Sequence, residues 1–134
     1  MTPHTLCHIV YGVTKRQEAE RQGDNWEVQV RRGFLELAIL AALWNGKLYG
    51  LEILRRLEDD SELIVSEGTI YPLLSRLKNT GLVSSEWVES DGGHPRKYYA
   101  LTAAGKQRTM EMASVWGRFS AAMAKVLRPI PKEK

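Results

Sequence analysis

Several features that mark secreted, membrane-bound or metal-dependent proteins are scarce in this chain. There is one cysteine in 134 residues, Cys7, so an intramolecular disulfide framework is excluded and a reducing cytoplasm is the expected setting. No apolar run approaches the roughly 18 residues of a membrane span, so no membrane partner is expected. The first lysine and arginine, Lys15 and Arg16, follow a short apolar patch rather than preceding it, which does not fit a secretory leader. Internal repeats and low-complexity tracts are missing. Charge is nearly balanced, with a formal net charge of +3 and a pI near 9.1. That permits a nucleic-acid partner without demanding one, so a DNA face would have to concentrate its cations. Chemistry-bearing clusters are equally sparse. His4, Cys7 and His8 have a spacing that could hold a metal ion, yet such a trio near a chain end is more often chance. There is no nucleophile–base–acid arrangement and no phosphate-cradling glycine loop. The expectation is therefore no catalysis, no metal and no cofactor.

What is present concentrates between Ser66 and Leu101. Ile70, Leu73, Leu74 and Leu77 recur at the helical period and give one apolar face. Ser66 is placed to cap this helix through its hydroxyl. Val65 and Ile70 occupy the positions of a hydrophobic staple. Gly81 is placed as a left-handed terminator. Pro72 sits inside the helix, where it removes a backbone donor and crowds the carbonyl four residues back, here that of Gly68. The outward face carries Gly68, Thr69, Tyr71, Pro72, Ser75 and Arg76. Small residues at Gly68, Thr69 and Ser75 suit entry into a groove about 12 Å wide, and Tyr71 could reach a base edge or a phosphate. Taken alone, the same pattern also fits an ordinary amphipathic surface helix.

A strand with Val83, Trp87 and Val88 follows, then the turn signal Asp91-Gly92-Gly93, then His94-Pro95-Arg96-Lys97 and a second strand through Tyr98-Tyr99-Ala100-Leu101. Arg96 and Lys97 would neutralise phosphates. Strand alternation sends one of Tyr98 and Tyr99 outward and the other to the core. A helix followed by a basic hairpin is the order of a winged helix-turn-helix. Upstream, a helix is expected from Asn25, capped by Asp24 or Asn25, with Phe34, Leu35, Ala38, Ile39, Ala42 and Leu43 on its apolar face. A second is expected over Leu48 to Asp59, with Leu51, Leu54 and Leu57 on its core side. The predicted fold class is mainly α with a small β-hairpin.

From Ala103 to about Leu127 the chain reads as one helix, about 37 Å long at 1.5 Å per residue. Its apolar stripe is Met112, Val115, Trp116, Phe119, Met123 and Val126. A second copy is the economical cover for that stripe, since two-fold dimers are the commonest oligomers. The expected organisation is an N-terminal extension over 1–24, a winged helix-turn-helix over 25–101, and a dimerisation helix with tail over 102–134.

YGLEI (Tyr49 to Ile53), GTIYPLLSRLKNTGLV (Gly68 to Val83) and HPRKYYALTAAGK (His94 to Lys106) together resemble the PadR family of transcriptional regulators. The resemblance covers about residues 26 to 127, and the single long last helix is similar to the short-tailed subfamily. It implies a homodimeric repressor that binds double-stranded inverted-repeat operators and is released by a small, often aromatic, effector. By motif match it places Ser66, Gly68, Thr69, Tyr71 and Ser75 at the major groove, with Arg96, Lys97 and Tyr98 on the wing. VWGRF (Val115 to Phe119) is similar to the segment that lines a central drug pocket in some members, which implies Trp116 and Phe119 as effector contacts. The competing reading is a winged-helix protein-interaction module without specific DNA binding, which would lack steeply salt-dependent duplex binding.

Overall fold

The computed structural model describes residues 15–61, 65–90 and 92–133, with the backbone alone for 15–24 and 60–61. Among them are four helices and three strands. These are α1 (Lys15–Ala42), β1 (Leu48–Tyr49), α2 (Gly50–Ser61), α3 (Glu67–Asn79), β2 (Val83–Val88), β3 (Arg96–Leu101) and α4 (Ala103–Val126). The chain divides into two compact units, Met1–Leu35 and Glu36–Lys134, with the boundary inside α1.

In the first unit α1 is already under way at Asn25, so neither Asp24 nor Asn25 caps it. The reason lies in Lys15 to Gln22, which is rich in Glu, Lys, Arg, Gln and Ala. Such residues carry a helix through the single Gly23, whose cost is about 1 kcal/mol. Trp26, Val28 and Val30 are exposed. The His4, Cys7 and His8 trio lies outside the described residues.

The second unit is built around Ile39 and Leu40 from the end of α1, Leu43 just beyond it, Ile53, Leu54 and Leu57 of α2, and Ile70, Leu74 and Leu77 of α3. Val83 and Tyr99 close this core from the sheet. Each buried aliphatic side chain contributes roughly 1.5–3 kcal/mol relative to an exposed one. Leu51, expected on the core side, is 37% exposed instead. It belongs to the first turn of α2, because that helix starts at Gly50 and not at Leu48.

Leu48 and Tyr49 form a third strand. The sheet order is β1-β3-β2, all antiparallel, with Leu48 opposite Tyr99 and Tyr49 opposite Tyr98. A two-residue strand has no period to read, so the expected hairpin gains a strand that only tertiary pairing creates. The side chain of Glu52 accepts a hydrogen bond from the Tyr49 backbone N–H at 3.1 Å, which ties β1 to the start of α2.

Turn chemistry fixes the joints. Gly81 has φ +81°, its N–H reaches the Lys78 carbonyl, and the Leu82 N–H reaches the Leu77 carbonyl at 2.9 Å. This is a Schellman motif, and it turns α3 directly into β2. The Thr102 hydroxyl accepts from the Gly105 N–H at 2.9 Å and donates to the Gly81 carbonyl at 2.6 Å, so one side chain caps α4 and pins it to that same turn.

Candidate nucleic-acid interface

Ser66 stands at the N-cap of α3 with extended backbone, but its side chain makes no capping bond. Its hydroxyl pairs with that of Thr69 at 3.1 Å, so two side chains that could serve the backbone serve each other. The Ser66 carbonyl instead receives the N–H groups of Thr69 and Ile70 at 3.0 and 3.1 Å. Ile70, Leu74 and Leu77 face the core. Ser66, Gly68, Thr69, Tyr71, Pro72, Ser75 and Arg76 are all exposed, so the small polar face expected from the sequence is the solvent face. Gly68 has open space where a Cβ would stand, the nearest atom being the Ser66 hydroxyl oxygen at 3.8 Å. Arg76 is ion-paired with Glu36 at 2.6 Å, which neutralises it and braces α3 against the end of α1.

Tyr71 is held differently from its neighbours on that face. Its ring lies across the start of α2, close enough that a Cβ at Gly50 would stand 2.5 Å from the phenol oxygen. Burial, with the Glu67 carboxylate adding to it, pushes the Tyr71 phenol above its ordinary pKa. Tyr99 is raised as well, by burial first and by Tyr71 second.

The hairpin supplies the cations. β2 and β3 pair Trp87 with Lys97 and Val88 with Arg96. At the tip, Gly93 has φ +79° and its N–H reaches the Ser90 carbonyl, while the Ser90 hydroxyl donates to the His94 carbonyl at 2.6 Å. Tyr99 is buried and Tyr98 half-buried, as alternation requires. Tyr98 meets Tyr49 edge-on with ring centres 5.5 Å apart. Lys47 lies 5.5 Å from the Tyr98 ring and pairs with Glu86 at 3.0 Å. Arg96 stacks over the Tyr49 ring at 4.6 Å, and the Lys97 ammonium lies 5.8 Å from the Trp87 ring and 5.9 Å from that of Tyr99. Such contacts stabilise by about 0.5–1 kcal/mol at exposed sites and keep both cations extended and aimed.

β1 pairs with Tyr98 and Tyr99 only and then turns into α2, so β3 has no neighbour on that side at Arg96 and Lys97. A cleft of about 450 Å³ opens there. Tyr71 comes to it from α3, Tyr49 from β1, Gly50 and Leu51 from the start of α2, and Trp87, Arg96 and Lys97 from the hairpin. The sequence reading gave Trp87, Gly50 and Tyr49 no part in the interface. Trp87 shares its sheet face with Lys97, a cross-strand relation visible only once the register is known.

On α4, Gly105 and Thr109 are buried and Met112 is half-buried. Val115, Trp116, Phe119, Met123 and Val126 are between 37% and 68% exposed. The stripe is thus apolar, contiguous on one helix and solvated. Among the described residues there is no cluster suited to a metal ion, and no helix is long and apolar enough to cross a membrane.

Residues 39–111 match the model of the transcriptional regulator PadR-like family. Solved structures agree. A PadR-like transcription factor from Bacteroides fragilis is 42% identical, over 76% of this chain and 98% of that one, with a TM-score of 0.64. A PadR-like transcriptional regulator from Bacillus cereus is 34% identical, over 74% of this chain and 96% of that one, with a TM-score of 0.67. A PadR family transcriptional regulator from Eggerthella lenta is 29% identical, over 83% and 96%, with a TM-score of 0.72.

Proposed function

This chain belongs to the PadR-like transcriptional regulator family, and we propose that it acts as a homodimeric, sequence-specific repressor in the cytoplasm, not an enzyme. One observation carries the reading: Ser66, Gly68, Thr69, Tyr71 and Ser75 share the exposed face of α3, next to a hairpin that presents Arg96 and Lys97. A helix with small polar residues outward enters a major groove, and the wing cations then meet the backbone. The base-reading helix supplies sequence selection. The cations and Tyr98 supply register and affinity that weaken with salt.

Residues 25–101 form the DNA-binding body in this reading, and 102–134 the dimerisation helix and tail. The solvated stripe of α4 supports the dimer, because a second copy buries Met112, Val115, Trp116, Phe119, Met123 and Val126 at once. Two-fold symmetry then presents two copies of α3 to an inverted repeat whose half-sites lie about 34 Å apart. Trp116 and Phe119 lie on the seam between copies, where a flat aromatic effector could stack. Such an effector releases DNA only by binding one dimer arrangement better than the other.

The test is binding to a labelled duplex from the protein's own upstream region, with excess unrelated DNA, across a salt series. Retention against the competitor together with a steep fall with salt is the expected result. No binding at low salt would remove the DNA reading and favour a protein-interaction module.

A further inference from the structure

Two arginines border the surface built by α3 and the hairpin, and they are held in opposite ways. Arg96 of the hairpin lies over the Tyr49 ring, where its charge stays available. Arg76 of α3 is held by the Glu36 carboxylate at 2.6 Å, a short charge-assisted hydrogen bond. Arg76 stands two helical turns beyond Thr69 and only about 20° around the helix from it, so it belongs to the outward face. Tyr71 is roughly 140° from Arg76, on the flank next to the hairpin. Lys78, the other cation of α3, is about 200° further round than Arg76 and so on the opposite flank. Glu36 comes from α1, beside the buried Leu35, and its side chain is 26% exposed against 62% for Arg76. The carboxylate is the anchored partner, and the guanidinium reaches for it. Granted the DNA-binding reading above, on which this rests, we propose that Glu36 is a specificity-determining residue. It keeps Arg76 paired while α3 reads the groove, so this flank of the helix adds no sequence-independent attraction to phosphates.

A free arginine beside a groove is drawn to the nearest phosphate whatever the bases are. On an operator, base contacts fix the depth and angle of α3, and with them the place where Arg76 falls. On unrelated DNA no such contacts hold the helix, and an unpaired Arg76 takes whichever phosphate is closest. A free cation at this position therefore favours unrelated duplexes more than the operator. Unrelated sites are in vast excess over specific ones, so that bias dilutes the regulator. Glu36 removes the bias. Exchange of Glu36 for a phosphate gains little in the wild type, because it leaves a half-buried carboxylate unpaired beside a polyanion. The same treatment recurs near the sheet, where Lys47 is held by Glu86 at 3.0 Å. The cations left available, Arg96 and Lys97, lie over aromatic rings of the hairpin and of β1. Attraction is thus placed on the wing and withheld from the outward face of the reading helix.

The experiment measures binding of the full chain to its own upstream duplex and to an unrelated duplex of equal length, across a potassium chloride series. The proteins are the wild type, Glu36→Gln and the double variant Glu36→Gln/Arg76→Gln. Glu36→Gln frees one cation, so on the unrelated duplex its salt slope should steepen by about one and its affinity should rise several-fold. Its gain on the upstream duplex should be smaller, so discrimination falls. The double variant removes one charge of each sign and should return to the wild-type slope on both duplexes. A Glu36 that only braces α3 would lower affinity for both duplexes in Glu36→Gln without steepening either slope, and that result overturns the proposal. So does a double variant whose slope is shallower than the wild type's by about one, since Arg76 would then already meet a phosphate. Melting temperatures of the three proteins show whether either change acts through the fold, and the uncharged Gln–Gln pair retains the means to hydrogen-bond. In each of these results DNA binding stands. Failure of the wild type to bind any duplex overturns both the proposal and the reading beneath it.

Discussion

The ring of Tyr71 lies across Gly50, with its hydroxyl oxygen 2.5 Å from where any β-carbon at that position would stand. Elsewhere in a helix, glycine to alanine stabilises by about 1 kcal/mol. Here the added methyl must displace Tyr71, which spans the first turn of α2 and the outward face of α3. Gly50→Ala should therefore lower duplex affinity, and so should Tyr71→Ala while leaving the oligomer intact. Because both changes act through the Tyr71 ring, the double variant should bind no worse than Tyr71→Ala alone. A double-mutant cycle on duplex affinity checks this, and additive losses would separate Gly50 from Tyr71.

A second glycine is fixed by backbone and not by a side chain. A Cβ at Gly105 would collide with the Leu82 carbonyl oxygen, the same oxygen that receives the Thr102 N–H at 3.1 Å. The collision cannot be relieved by a rotamer change, since the obstacle is the joint between α3 and β2. Gly105→Ala should destabilise the fold by about 1–3 kcal/mol, the usual range for overpacking. Chemical denaturation measures it directly. An unchanged midpoint would mean that the start of α4 can lift from the sheet at little cost.

Tyr71 and Tyr99 both have their phenol pKa raised above 10.0 by burial. A proton held more tightly in the folded state than in the unfolded one stabilises the fold fully below the unfolded value. Between the unfolded and folded values the unfolded chain ionises first, so stability is lost as pH rises through that window. Urea denaturation should thus be flat as pH approaches 10 and weaken above it. Tyrosinate absorbance should show Tyr71 and Tyr99 ionising above the ordinary tyrosine range. Tyr71→Phe should remove one of these and part of the alkaline loss.

Local patterns made much of this fold legible. The period of Ile70, Leu74 and Leu77 located α3, and Gly81 marked its end because only a left-handed residue closes a Schellman turn. The alternation of Tyr98 and Tyr99 was readable for the same local reason. The elements that depend on distant partners were not. Leu48 and Tyr49 form a strand only because Tyr98 and Tyr99 lie opposite them. Ser66 looked like a side-chain cap, but Thr69 one turn on offered its hydroxyl a competing partner. Leu51 was assigned to the core by spacing, but Ile53, Leu54 and Leu57 centre the buried face of α2, and at about 100° per residue Leu51 lies roughly 110° away from it. The cleft was invisible for a deeper reason: Tyr71, Trp87 and Lys97 belong to three separate elements, and their meeting depends on sheet register and helix crossing, neither of which has a sequence period.

The stripe on α4 yields the remaining prediction. Phe119 is 66% exposed, so Phe119→Glu should leave the fold of one copy and its melting behaviour unchanged. In a dimer the same change places two carboxylates against an apolar seam, and an unpaired buried charge is strongly destabilising. Sedimentation should then report a monomer where the wild type gives a dimer. Duplex affinity should fall by about a hundred-fold or more, because each copy engages its half-site alone and the gain from linked binding is lost. Trp116, 47% exposed on the same seam, reports the effector reading. Planar aromatic compounds should quench its fluorescence in the wild type, and a Trp116→Ala variant should show no such response despite its three other tryptophans. A dimer that survives Phe119→Glu would move the contact between copies away from α4, and with it the place where an effector could act.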